Sequence, residues 1–127
     1  MDNIDITDVP SSNFIDKAGK YDVIIGETKD HYFDSGNTGF MIQMTDAAGR
    51  TINDRIAVTE KTLWKVRAIA DAAGLDETQL KSFNHTMLRN RCVTITTQDD
   101  GQYQRIVKYA ATDVIVAPPE IKDDIPF

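Results

Sequence analysis

Asp123, Asp124, Ile125, Pro126 and Phe127 bring two carboxylates, a branched apolar side chain, a rigid ring and an aromatic together in five residues. That combination suits a docking peptide. Phe127 can fill an apolar pocket while its α-carboxylate pairs with an arginine, and the two aspartates can face a basic rim. Pro126 fixes one backbone dihedral, so less ordering entropy is lost on capture. The plain alternative is a frayed hydrophilic end. Other constellations offer less chemistry. His31 with Asp30 and Asp34 could be drawn as a metal cluster, but a polar loop there fits a solvated surface better. His85 has no partner at ligand spacing, and Cys92 stands alone, which leaves no disulfide framework and no cysteine-based metal site. Cys92 reads as a small buried hydrophobe. No nucleophile elbow, phosphate-cradling glycine loop or zinc pattern occurs. The expectation is a protein that is not an enzyme and needs no cofactor or metal.

The elements that would carry these residues follow from periodicity. Residues 1–16 are polar and acidic, with a break at Val9-Pro10-Ser11-Ser12, and read as an extended arm whose Phe14 and Ile15 pack on the body. Lys20 to Lys29 alternates around Tyr21, Val23 and Ile25 as a first strand, followed by a loop from Asp30 to Asn37. Thr38 to Asp46 is a second strand with Phe40, Ile42 and Met44 inward; Arg50 to Val58 is a third, with Ile52, Ile56 and Val58 inward. The period then changes. Thr59 is placed to cap a helix from Glu60 to Ala73, with Leu63, Val66, Ile69, Ala70 and Ala73 on one face and Gly74 as its stop. Asp76 and Gln79 have capping-box spacing for a short turn through Lys81. Arg91 to Thr97 is a fourth strand, Asp100-Gly101 a hairpin signal, and Gln102 to Tyr109 a fifth strand in which Ile106 and Val107 compete for the inward face. Val114-Ile115-Val116 is read as a possible extension of that strand, and Pro118-Pro119 ends the body.

Three strands, a helix and two strands is the order of the OB-fold, a five-stranded Greek-key barrel with the helix between strands three and four. The expected fold is therefore mainly β, divided into an acidic arm (1–16), an OB body (17–116) and a tail (117–127). In such a barrel the second and third strands and the flanking loops form a binding platform. Binding of single strands without sequence preference needs cations along the backbone path and flat groups on which bases stack. The platform positions here hold Lys29, Tyr32 and Phe33 in the first loop, Gln43 and Arg55 on the outward face, and Tyr103 and Arg105 after the last hairpin, with Arg91 and Lys108 on neighbouring strands. For Tyr32, Phe33 and Tyr103 an ordinary surface role stands beside the stacking one. For Arg55 and Arg105 a solvated or salt-bridged face stands beside a phosphate contact. Phe40, Trp64 and Phe83 lie in apolar patterns and are expected in the core.

The net charge of −6 on its own argues against nucleic acid. Its distribution weakens that objection. Residues 1–16 hold Asp2, Asp5, Asp8 and Asp16 and no base; residues 117–127 hold Glu120, Asp123 and Asp124 against Lys122. The remaining body has 13 acidic and 13 basic side chains and is neutral, so a basic groove requires only that its charges segregate. No apolar run approaches membrane-spanning length and the first residues lack signal-peptide character, from which a cytoplasmic protein without a membrane partner is expected.

The Asp123-Asp124-Ile125-Pro126-Phe127 run resembles the C-terminal tip of bacterial and phage single-stranded DNA-binding proteins. The body from about Phe14 to Asp113 is similar to a small phage family whose genes sit near recombination and replication genes. That likeness rests on Phe14 before Gly19-Lys20-Tyr21, Ser35-Gly36, the Arg50-to-Asp54 strand and Ala72-Ala73-Gly74-Leu75. Where the family tends to have glycine before the fourth strand, this chain has Asn90, which tolerates positive φ. The resemblance implies a protein that coats single-stranded DNA in a bacterial or phage-infected cell and recruits replication or recombination proteins through its tip. Such binders are often dimers or tetramers, and nothing in the sequence identifies an interface. The rival reading is an adaptor or decoy that uses the same tip without binding DNA.

Overall fold

A computed structural model describes residue 3 and residues 14–117. Residues 123–127, expected to form a docking tip, and most of the expected N-terminal arm lie outside the described residues. Five antiparallel strands form one sheet: β1 (Gly19–Tyr32), β2 (Thr38–Asp46), β3 (Thr51–Ala57), β4 (Cys92–Asp100) and β5 (Tyr103–Ala111), in the order β3-β2-β1-β4-β5. Two helices, α1 (Leu63–Ala72) and α2 (Glu77–Lys81), and a 3-10 turn (His85–Leu88) occupy the stretch between β3 and β4.

β1 is the spine of the sheet. Its first half, Gly19 to Ile24, pairs with β4, and Val23 to Tyr32 pairs with β2. The β2 register shifts between Ile25 and Thr28, a bulge that bends the strand and curls the sheet. At that bend Ile25 N–H donates to Arg91 O at 2.8 Å and Asn90 N–H donates to Ile25 O at 2.7 Å. Asn90 has φ 65°, so the tight approach to β4 forms on asparagine.

The concave side of the sheet holds the core. Val23 and Ile25 from β1, Phe40, Ile42 and Met44 from β2, Ile52 and Ile56 from β3, Val93 and Ile95 from β4 and Ile106 from β5 are buried against Val66, Ile69 and Ala70 of α1. Each large apolar side chain removed from water in this way stabilises by about 1.5–3 kcal/mol. The β2–β3 connection is organised by one buried acid. Asp46 Oδ1 accepts from Ala48 N–H at 3.0 Å and Arg50 N–H at 2.8 Å, while Oδ2 takes Arg50 Nε at 2.9 Å. The Arg50 guanidinium then lies over the Tyr21 ring.

Several expectations need correction. β1 runs on to Tyr32, through residues expected to be loop, because they continue the ladder with β2. The helix does not start from a Thr59 cap. Thr62 is its first flanking residue, and the Thr62 hydroxyl accepts from Thr59 N–H at 2.9 Å and donates to Ala57 O, locking residues 59–62 in a turn. Trp64 is 71% exposed and Leu63 52%. The buried stripe runs Val66, Ile69, Ala70, Ala73, and Trp64 falls roughly 200° around the axis from Val66 at 3.6 residues per turn. Val58 keeps inward parity but sits past the end of the core and is 43% exposed. Val114 and Ile115 do not extend β5; both are exposed, and Val116 alone of the three is buried. The ambiguous face of β5 resolves to Ile106 inward, and the last hairpin turns on Gly101 and Gln102, one residue later than expected.

The sheet is not closed. Among the described residues no backbone ladder joins β3 to β5, the two edge strands. Instead, the edge of β3 receives the incoming chain: Phe14 bridges Thr51 in parallel and Ile15 N–H donates to Thr51 O at 3.0 Å. Ile15 is buried by this contact, whereas Phe14 remains 63% exposed.

Candidate nucleic-acid interface

Strand alternation sorts side chains onto the two faces of the sheet, and the pairing register shows which of them are neighbours. On the convex face Lys29 of β1 pairs with Met41 of β2, which pairs with Arg55 of β3. Lys29 and Arg55 therefore flank Met41 in one row, their Cα atoms roughly 10 Å apart across two strand spacings. Gln43 and Asn53 form the next row toward the β2–β3 turn. In the other direction His31, Gly39 and Ala57 form a third row. Phe33, just beyond β1, meets His31 edge-on with ring centroids 4.5 Å apart, so two flat groups stand at the end of the row.

Gly39 shapes this surface. A Cβ built on it would lie 1.9 Å from the carbonyl oxygen of Ile56, because β2 and β3 approach closely there. The position admits no side chain, and the backbone beside the His31–Phe33 pair is left bare. The row is not purely cationic: Lys29 Nζ lies 3.3 Å from Glu27 Oε1, both side chains being more than half exposed. An exposed pair of this kind holds little energy and is readily exchanged for a phosphate.

The remaining expected residues fall elsewhere. Tyr103, 77% exposed at the start of β5, lines a cleft between β3 and β5 together with Phe14, Asp54, Arg55 and Gln104. Arg55 thus belongs both to the convex row and to the rim of this cleft. Lys108 lies in a second row, Lys20–Thr96–Lys108, across β1, β4 and β5, and Arg105 is opposite Gln98 nearer the hairpin. Arg91 precedes β4, half-buried, its carbonyl held by Ile25. Tyr32, 75% exposed, has the opposite parity to Lys29 and lines a different cavity, against α1. Lys29, Phe33, Gln43 and Arg55 are brought together; Arg91, Arg105 and Lys108 are not part of that group.

Sequence reasoning did not place His31 and Gly39 on the same face as Lys29. With β1 ended at Lys29, His31 was a loop residue; with β1 extended, Lys29, His31 and Phe33 alternate on one side. That alternation was the available signal. His85 has no partner at ligand spacing in the sequence, yet its Nδ1 lies 2.8 Å from Thr28 Oγ1 and its Nε2 2.9 Å from Asp30 Oδ1, with its ring stacked on Phe40. The two hydrogen-bond partners are 57 and 55 residues away in sequence, and only the fold unites them with the ring.

On the opposite side of the sheet from the Lys29–Met41–Arg55 row, Asp54 of β3 faces the core side. Its Oδ2 accepts from Tyr109 Oη at 2.6 Å and lies 3.5 Å from Lys65 Nζ of α1. Burial, followed by the adjacent Asp54 carboxylate, pushes the Tyr109 phenol well above its ordinary value. No group of histidines, cysteines and carboxylates suited to a metal ion occurs among the described residues. No helix there is long and apolar enough to cross a membrane. Chemically, the convex face can hold a polyanion at Lys29 and Arg55 and offer His31 and Phe33 to planar groups.

No protein-family model matches the chain, and no curated protein matches it.

Proposed function

We propose that this chain is a single-stranded DNA-binding protein that coats transient single strands during replication or recombination, in a bacterial or phage setting. The observation that carries the reading is the convex row Lys29–Met41–Arg55 ending beside the His31–Phe33 pair. It supplies phosphate partners and stacking surfaces on one face, the two requirements of sequence-tolerant binding. The finer architecture belongs to the same proposal. We read the sheet as an OB-type barrel in which β3 and β5 are drawn together by the Asp54–Tyr109 hydrogen bond and by the Phe14–Ile15 segment, rather than by a ladder.

In this reading Asp123, Asp124, Ile125, Pro126 and Phe127, outside the described residues, recruit replication or recombination enzymes. The acidic tip also competes with DNA for the cationic face.

Titration of intrinsic fluorescence with oligo-dT at two salt concentrations tests the proposal. Binding is expected, weakening by about 0.7 log units per phosphate contact for each tenfold rise in salt. No binding, or a flat salt response, refutes it. Deleting residues 122–127 is expected to leave DNA binding equal or tighter while abolishing recruitment; a marked loss of affinity contradicts the role given to the tip. One observation favours the adaptor reading as a second choice: Leu63 and Trp64 present adjacent exposed apolar surface on α1, which suits a protein partner. An inert result with oligo-dT selects it.

A further inference from the structure

We propose that the cavity between α1 and the end of β1 is a subsite for one unstacked guanine base, an inference that rests on the single-strand-binding reading and extends it. The cavity has a volume of about 840 Å³, and Phe40, Val58, Leu63, Val66 and Phe83 are among its walls. That is the size and composition of pockets that take small aromatic ligands. Tyr32 and Leu63 also line it and remain largely exposed. They leave apolar surface for a flat guest to cover.

The polar side of the cavity is built from a network that ends at a carboxylate. Arg89 donates from Nε to Thr28 Oγ1 at 3.0 Å and from Nη2 to Thr28 O at 2.7 Å. The buried Thr28 Oγ1 also lies 2.8 Å from His85 Nδ1, and His85 Nε2 lies 2.9 Å from Asp30 Oδ1, so the ring bridges the threonine and the carboxylate. Asp30 is held in place by this chain, yet its side chain is 74% exposed. A fixed acceptor edge therefore lines a largely apolar cavity.

Continuity with the platform decides the guest. Along β1, Lys29 and His31 face the convex side while Asp30 and Tyr32 face the cavity side, and His31, Thr38 and Gly39 line the cavity as well. A strand with one base on the His31–Phe33 pair can turn its neighbour over Thr38 and Gly39 into the cavity. A carboxylate only accepts hydrogen bonds. Of the four bases, guanine alone offers adjacent donors, N1–H and the N2 amino group, on its pairing edge. Adenine and cytosine set an acceptor beside the donor, and thymine sets its donor between two carbonyls. Extruded bases are read in this manner, by edge hydrogen bonds and contact with aromatic or apolar walls.

The test measures anisotropy of labelled oligo-dT and of three oligomers in which one central thymine is replaced by guanine, adenine or cytosine, with the full chain. The guanine oligomer is expected to bind about tenfold tighter than oligo-dT, the scale of one good base contact. Asp30→Asn is expected to abolish that preference and leave oligo-dT affinity unchanged. Leu63→Trp, which fills the cavity from α1, is expected to do the same, and thermal melts show whether each variant is folded. Equal binding of all four oligomers by the unaltered chain overturns the subsite while the platform stands. A guanine preference that survives in both folded variants also overturns it. Failure of every oligomer to bind overturns platform and subsite together.

Discussion

Tyr109 of β5 donates its hydroxyl to Asp54 of β3 at 2.6 Å, across the seam where these edge strands share no ladder among the described residues. Asp54 also lies 3.5 Å from Lys65 on α1, so one inward carboxylate ties both sheet edges and the helix. The geometry of the convex face depends on this point, because Arg55 is the next residue of β3.

The same bond predicts an alkaline weakness. In the folded protein burial and the Asp54 carboxylate hold the Tyr109 phenol well above its ordinary value, whereas the unfolded chain releases that proton near pH 10. Above about pH 10 the unfolded state therefore binds fewer protons than the folded one, and stability falls as pH rises, by up to about 1.4 kcal/mol per pH unit. The contribution is intact below about pH 10. Urea unfolding between neutral and strongly alkaline pH is expected to show this decline, and Tyr109→Phe is expected to blunt it while costing about 1–2 kcal/mol at neutral pH.

Gly39→Ala is expected to destabilise the protein by roughly 1–3 kcal/mol, the usual scale of overpacking. The added carbon would meet backbone atoms of Ile56 and Ala57, which cannot rotate away. Denaturant midpoints measure the loss. Because β2 and β3 must separate locally, the substitution also weakens oligo-dT binding beyond what the loss of folded protein explains.

Charge removal separates the two cationic rows. Arg55→Ala and Lys29→Ala are each expected to weaken oligo-dT binding and lower the salt slope by about 0.7. Arg105→Ala and Lys108→Ala, in the other group, are expected to change both less. Phe33→Ala is expected to cost about 1–3 kcal/mol of binding, the scale of a lost stacked base. Equal effects from both rows would remove the basis for choosing the β1–β2–β3 face.

Asp46→Ala is expected to lower stability by about 1–3 kcal/mol, since Ala48 and Arg50 lose the acceptor that shapes their turn. Thermal melts check it. Binding by the folded fraction stays near that of the unaltered chain, because Asp46 faces the core and Gln43 and Asn53 keep their pairing.

Much of this molecule was legible in one dimension. Strict alternation of apolar side chains in Phe40, Ile42 and Met44 defines a strand with one buried face, and β2 has the bounds expected from it. The Asp76–Gln79 spacing likewise specifies a local hydrogen-bonded box, and both of its bonds form. Such features depend on neighbours a few residues away, which is why the chain itself determines them. The end of β1 does not. Polar residues Asp30 to Tyr32 join the sheet because β2 continues beside them, and that extension is what sets His31 next to Phe33. Trp64 shows the converse: an apolar side chain left in solvent because the stripe beginning at Val66 already covers the core. The row Lys29–Met41–Arg55, the link between Asp54 and Tyr109, and the Asp30–His85–Thr28 chain all join residues far apart in sequence. Register and sheet curvature decide them, and these arise only when the strands pack around a common core.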